Sequence, residues 1–130
     1  MDNAARFALA VILTALGGIH LYWAAGGDYG VRSAIPSIPG GQALFEPGPW
    51  GTTLVALLLL AGAAIALGPL PFQAILLRGM GILFLLRAVG EFRYVGIFKR
   101  VRNTQFAYWD TRLFSPLCVL LSLLAFLASK

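Results

Sequence analysis

The chain has little of what a soluble protein, a redox centre or a transition-metal site requires. Its 130 residues include ten basic and five acidic side chains, one cysteine and one histidine. A lone Cys118 can form neither an intramolecular disulfide nor a thiolate metal cluster, and a lone His20 excludes a site with two or three histidine ligands. Coordination of a hard cation by carboxylates or carbonyls stays open. We therefore predict no redox framework and no bound cofactor, and we assign no metal-ligating residues.

What remains is strongly apolar, with 59% hydrophobic residues and a mean hydropathy of +0.83. A soluble domain has roughly 45–50% apolar residues. A soluble domain of this length also needs a mostly polar surface, and the few charged side chains of this chain cannot provide it. Most of the chain is therefore expected to lie in lipid. Its apolar residues form four runs of the length that crosses a bilayer, at residues 4–25, 50–67, 72–91 and 113–129.

These runs predict an all-α fold, an integral membrane four-helix bundle formed by a single transmembrane domain over residues 1–130. A signal peptide is the alternative for the first run, but its length and the weak charge before it favour a retained span. A Gly- and Pro-rich stretch predicts a long ordered loop between helices 1 and 2. A basic and aromatic connector separates helices 3 and 4, and we find no internal repeat or separate soluble domain.

Alternating spans would place both of these segments on one side of the membrane. We call this side of the membrane the loop-bearing face. It contains the end of helix 1, the first loop, the end of helix 3, the connector and the start of helix 4. All three Trp and all four Tyr fall there. Most Lys and Arg outside the helices also do, so the positive-inside rule predicts a multi-pass membrane protein with a cytoplasmic loop-bearing face. Topology and anionic lipid head groups explain the net charge of +5 better than nucleic acid does.

Two groups are candidates for chemistry within the helices. Arg87 and Glu91 are four residues apart, so we expect them to pair on one helix stripe. Such a pair could anchor the helix end at the interface, or it could bind a head group or exchange a proton. His20, one turn before Trp23, could be a general acid or base, or could hydrogen-bond a neighbouring helix.

The candidate site combines these groups with the cations and aromatic rings of the connector. Interleaved basic and aromatic residues favour binding to anionic lipid head groups. Asp110 and Arg112 could also clamp the phosphate or carboxylate of an amphiphile whose tail lies among the helices. The candidate catalytic residues are His20 and Glu91; the candidate ligand-binding residues are Tyr22, Trp23, Arg87, Arg93, Tyr94, Asp110 and Arg112.

Several segments of the sequence are similar to those of a known family. They are residues 87–96, 98–102 and 110–118, residues 20, 22, 23, 26 and 27 near the end of the first run, and residues 45, 47, 49 and 50 before the second. With these segments the chain resembles a family of small bacterial integral membrane proteins known only as a domain of unknown function. The resemblance implies four helices and a bacterial origin, which would make the chain a multi-pass protein of a bacterial inner membrane. It implies no activity.

Three functions fit these features. The first is a polar pocket on the loop-bearing face that binds or modifies a small amphiphile, such as a lipid, an isoprenoid or a quinone. The second is a small proton-coupled transporter or channel subunit that forms homo-oligomers, because four short helices hardly enclose a pathway. The third is an accessory subunit of another membrane protein. The expected partners are membrane lipids, an amphiphilic ligand and further copies of the chain, and whether the chain is an enzyme stays open.

Overall fold

The computed structural model describes residues 2–130, and its regular structure is helical. These residues form no strand, only one isolated bridge between Ser37 and Ala43 in the first loop. The predicted all-α class is confirmed. The helices are α1 (Asn3–Ala24), α2 (Val31–Ala34), α3 (Pro49–Leu67), α4 (Gln73–Val89) and α5 (Gln105–Ala128).

Three of these helices, α1, α3 and α5, are long and apolar enough to cross a membrane. The last one begins earlier than the apolar run at residue 113 indicates. Thr104 caps its start, since the Thr104 side chain accepts a hydrogen bond from the Ala107 N–H at 3.0 Å. A cap of this kind starts a helix in a polar segment, which a hydropathy pattern does not detect.

A wide π-helical turn, Asp110–Phe114, interrupts α5 between its segments Gln105–Trp109 and Ser115–Ala128. The Ser115 N–H donates to the carbonyl of Asp110, five residues back. Pro116 follows at once, and a proline ring clashes with the carbonyl four residues before it in a regular α-helix. We attribute the wider turn to this proline. Such turns occur often at functional sites.

Small residues form the contacts between the long helices. α1 packs against α3 and α5, and α5 also packs against α4. A methyl group on Gly17 would lie 2.8 Å from the Leu60 side chain, and Ser122 Oγ donates to the Gly81 carbonyl at 2.8 Å across the α4–α5 contact. Close approach at small residues, with polar bonds between helices, is typical of helix packing in lipid.

Large apolar side chains face outward instead. Leu58 is 63% exposed, Leu83 68% and Leu86 61%. Exposed apolar area on this scale is rare on a soluble monomer. Together with the three long apolar helices, it indicates a membrane protein.

At one end of the helices, side chains satisfy the last carbonyls of α3. Arg6 Nε donates to Ala66 O at 2.7 Å, and Gln73 Nε2 donates to Ile65 O and Gly68 O, each at 2.6 Å. The carbonyls of Ile65 and Ala66 have no partner within α3, and that of Gly68 follows directly after the helix. The positive charge of Arg6 also lies at the negative end of the α3 dipole. Most of the buried apolar core lies towards this end, at Ala5, Leu9, Ala10, Leu13, Ala63, Ala66, Leu77, Leu121, Ala125 and Ala128.

At the other end, the first loop and the connector are neighbours. α2, within the first loop, contacts the segment Gln105–Trp109 at the start of α5. Both polar segments therefore cover the same end of the helices, where the charged residues of the candidate site are also found.

We expect Gln73→Leu to lower the unfolding free energy by about 1–3 kcal/mol, because buried carbonyls of α3 lose their donor. The measurement is unfolding in detergent micelles followed by circular dichroism. Gly79→Ala is the control on the same helix, since its added methyl would enter open space. Equal unfolding midpoints for Gln73→Leu and the wild type would show that this cap is not stabilising.

Candidate functional site

Asp110 is fully buried, and its carboxylate holds together two segments of the chain. Its Oδ1 accepts a hydrogen bond from Arg87 Nη2 of α4 at 3.0 Å. Its Oδ2 lies 3.2 Å from Lys99 Nζ and accepts from the Gly96 N–H at 2.8 Å, both in the connector. We call Arg87, Gly96, Lys99, Asp110 and Thr111 the Asp110 cluster.

Lys99 is buried inside this cluster, with 2% of its surface exposed. Besides facing Asp110, its ammonium group donates to Gly96 O at 3.1 Å and to Thr111 Oγ1 at 2.5 Å. A buried lysine is stabilised by a counter-charge and by acceptors for its protons. Lys99 has both, in the Asp110 carboxylate and in these two oxygens.

Two glycines bring the connector back to the end of α4. Gly90 ends the helix with φ 78°, and Gly96 has φ 95°. A Cβ at Gly96 would overlap the Val89 carbonyl, and the Ile97 N–H donates to Ala88 O at 2.8 Å. This close backbone contact is what presents the Gly96 N–H and the Lys99 side chain to Asp110.

The Asp110 cluster has one more positive than negative group. Asp110 and Lys99 have fully buried side chains, whereas that of Arg87 is 35% exposed. Buried ions are stable when paired, so Lys99 and Asp110 neutralise each other and the excess charge lies on Arg87. Among residues 2–130, two buried side-chain polar atoms have no hydrogen-bond partner within the protein, and these are Arg87 Nη1 and Ser115 Oγ.

Glu91 does not pair with Arg87, so the expected i,i+4 pair is wrong. The physical reason is that Gly90 ends α4 after Val89, which removes Glu91 from the helix stripe. Its Oε1 instead accepts from the N–H groups of Tyr94, of Arg93 at 3.1 Å and of Val95 at 2.9 Å. These bonds, that of Tyr94 foremost, hold the pKa of Glu91 below its ordinary value.

His20, Tyr22 and Trp23 form a second group, at the end of α1. His20 Nδ1 lies 2.8 Å from the Leu16 carbonyl, so Nδ1 is assigned as the donor to that oxygen. The His20 ring also meets the edge of Trp23, with centroids 5.1 Å apart. Trp23 Nε1 donates to Tyr29 O at 2.9 Å, and Tyr22 OH accepts from the Tyr29 N–H at 3.3 Å. Tyr22 and Trp23 thus hold the first loop against α1.

Arg93, Tyr94 and Arg112 lie in the surface part of the connector and the start of α5. The Arg93 guanidinium lies 5.1 Å from the Tyr94 ring centroid, and that of Arg112 lies 3.9 Å above the Tyr108 ring. Cation–π contacts of this kind orient exposed cations without neutralising them. Candidate residues close in sequence contact one another, as Glu91 does Tyr94 and His20 does Trp23, and the structure also brings together Arg87 and Asp110, which are 23 residues apart.

Sequence reasoning missed Gly96, Lys99 and Thr111 as members of the Asp110 cluster, and it missed the buried hydroxyl of Ser115. Lys99 stands in a run with Arg100 and Arg102, and nothing local distinguishes the buried cation from the exposed ones. The sequence did contain a signal near Ser115. Pro116, the next residue, predicts a distorted helical turn beside Asp110.

A family model described as "Protein of unknown function (DUF3995)" matches residues 13–125, which include the whole Asp110 cluster. The match covers most of the chain, so the chain belongs to this family, in agreement with the resemblance seen in the sequence. No curated protein and no solved structure matches the chain significantly.

We expect Asp110→Asn to destabilise the protein by about 3–5 kcal/mol, because it leaves a buried Lys99 without its counter-charge. The measurement is again the unfolding midpoint in micelles. Glu91→Gln, a change of the same kind at an exposed carboxylate, is the control and should have a smaller effect. Adding Lys99→Met to Asp110→Asn should recover part of the loss. An Asp110→Asn protein as stable as Glu91→Gln would contradict the role given to the buried carboxylate.

The Glu91 contacts predict a pH dependence of the connector. Because the folded-state pKa is lowered, the stabilisation by Glu91 is complete above the pKa of the unfolded chain. It is lost as pH falls through the lower folded-state pKa. We expect ¹³C NMR of the Glu91 carboxyl group in micelles to give a lower pKa than the same group in an unfolded peptide of residues 88–98. Equal values would show that the three N–H bonds do not form.

Proposed function

We propose that this chain is a multi-pass membrane protein that binds the anionic head group of an amphiphile at the Asp110 cluster. The observation that carries the proposal is the state of Arg87. Its guanidinium belongs to a cluster with an excess positive charge, is partly exposed, and has one nitrogen without a partner in the part of the chain that the structure describes.

The membrane placement rests on the helices. We propose that α4 crosses the bilayer along with α1, α3 and α5, as a four-helix bundle and a single transmembrane domain. Its 17 residues span roughly 26 Å, close to the thickness of a bilayer core, and its N-terminus follows α3 after a short turn. The basic residues of the connector favour a cytoplasmic position for this end, in the inner membrane of a bacterium.

The Asp110 cluster would then lie where the lipid chains give way to head groups. Tyr108 and Trp109, 48% and 41% exposed at the start of α5, are of the type that marks this level of a bilayer. On α4, Leu83 and Arg87 are four residues apart and so share one helix face. An amphiphile tail lying on the exposed Leu83 would bring its head group to Arg87.

Exposed cations around the cluster would raise the local concentration of such a ligand. Arg93, Arg100, Arg102 and Arg112 are exposed, and each basic residue near an anionic membrane surface contributes about 1 kcal/mol of attraction. They would attract anionic lipids in general. Arg87, held in place by Asp110, would bind one head group in a defined geometry.

These contacts support binding more directly than catalysis. One oxygen of Glu91 accepts three backbone N–H groups, so protonating Glu91 would weaken the connector turn. His20 bonds within its own helix. We therefore assign Glu91 to the support of the connector and give Arg87 the leading role in ligand binding.

The test compares lipid binding by the wild type and Arg87→Gln. Both would be released from nanodiscs that contain phosphatidylglycerol and phosphatidylcholine, and native mass spectrometry would count the lipids retained. We expect the wild type to retain phosphatidylglycerol preferentially and Arg87→Gln to bind it about tenfold more weakly, since a hydrogen bond to a charged group is lost. Asp110 keeps Lys99 and the Gly96 N–H in this variant, so folding should be preserved.

Arg78→Gln is the control, because Arg78 is an exposed arginine on α4 well before Arg87. It should bind phosphatidylglycerol as the wild type does. Equal retention of both lipids by the wild type, or unchanged retention by Arg87→Gln, would overturn the proposal.

A further inference from the structure

We infer that Ser115 is a second head-group contact, and that the site takes a monoanionic head group with one oxygen bound between Arg87 Nη1 and Ser115 Oγ. This inference rests on the proposed function and narrows it to a ligand class. The class is an amphiphile with a single negative charge on oxygen, either a phosphodiester or a carboxylate.

The first observation is the unusual state of Ser115. The residue is fully buried, and its hydroxyl has no hydrogen-bond partner within residues 2–130. A buried helical serine normally bonds a carbonyl of the preceding turn, and unpaired buried polar groups are rare enough to need an explanation. Ser122 shows the ordinary case on the same helix, since its hydroxyl donates to the Gly81 carbonyl.

The second observation is that Asp110 links this serine to the unpaired nitrogen of Arg87. The Ser115 N–H donates to the Asp110 carbonyl, and the Asp110 carboxylate accepts from Arg87 Nη2. Of the two terminal nitrogens of the planar guanidinium, Nη2 therefore bonds Asp110 and Nη1 is buried without a partner. Nη1 and a serine hydroxyl are both donors. We infer that they lie on either side of one position, at which a negatively charged ligand oxygen would accept from both.

The third observation concerns charge. Arg87 and Lys99 face one carboxylate, Asp110, which leaves one positive charge in a largely buried cluster. A monoanion neutralises the cluster. A neutral head group would leave a positive charge uncompensated, and a dianion would leave a negative one, and either is costly at low dielectric.

The experiment measures the affinity of the full chain in phosphatidylcholine nanodiscs for three probes with oleoyl chains. The first probe is dioleoylphosphatidylglycerol, which is a phosphodiester, and the second is oleate, which is a carboxylate. The third is dioleoylphosphatidic acid at a pH where its phosphate is dianionic. We expect at least one monoanion to bind more tightly than phosphatidic acid, and the stronger of the two identifies the source of the oxyanion. Phosphatidic acid binding most tightly would overturn the assignment of charge.

The matched variants are Ser115→Ala and Ser122→Ala. Each removes one buried hydroxyl, and the two serines lie about two turns apart in the segment Ser115–Ala128 of α5. We expect Ser115→Ala to weaken monoanion binding about fivefold to tenfold, as expected for one lost hydrogen bond to a charged group. Without ligand, Ser115→Ala should be at least as stable as the wild type, because an unpaired buried hydroxyl is removed. Ser122→Ala should lose stability and keep its affinity.

The two proposals fail in different ways. If Arg87→Gln loses phosphatidylglycerol while Ser115→Ala binds every probe as the wild type does, the role of Ser115 is wrong and the proposed function stands. If the wild type prefers no anionic probe over phosphatidylcholine, both are wrong.

Discussion

The loop-bearing end of this protein depends on one buried carboxylate. Asp110 accepts hydrogen bonds from Arg87 of α4 and from the Gly96 N–H of the connector, and it forms an ion pair with the ammonium group of Lys99. Without it, Lys99 would be a buried cation with no counter-charge, which is strongly destabilising. The connector could then no longer pack against the end of α4. The path of the chain between α4 and α5 thus follows from the need to pair these charges away from water.

The two ends of the helices solve the problem of polar groups in different ways. At the end where α3 stops, Arg6 and Gln73 donate to the last carbonyls, and packed alanine and leucine side chains surround them. At the loop-bearing end, the side chains of the Asp110 cluster leave one excess positive charge. Two buried atoms there, Arg87 Nη1 and Ser115 Oγ, have no hydrogen-bond partner in the described residues. The first arrangement is complete within the chain, as expected for a structural cap. The second has donors left over, and this contrast is why we place ligand binding there.

Hydropathy predicted the long helices well and their polar ends less well. The all-helical fold and the match to a family of unknown function agree with what the apolar runs and the quoted motifs indicate. Arg87 and Asp110 were both among the candidate residues, yet Glu91 was the expected partner of Arg87. The i,i+4 rule assumes a continuous helix, and Gly90 ends α4 between the two residues. The sequence could not distinguish Lys99 from its exposed neighbours, because the type of a basic residue does not show whether its side chain is buried.

The sequence by itself determined the class of environment and the positions of the long helices, because these follow from the local density of apolar side chains and from caps and prolines. It also determined that the charges are few and gather towards one end. Which charges meet was decided by the tertiary structure. Arg87, Lys99 and Asp110 come together only because Gly90 and Gly96 let the connector fold back and because a wide turn shapes the start of α5. Contacts between separate segments depend on how those segments pack, and periodicity along the chain carries no information about that.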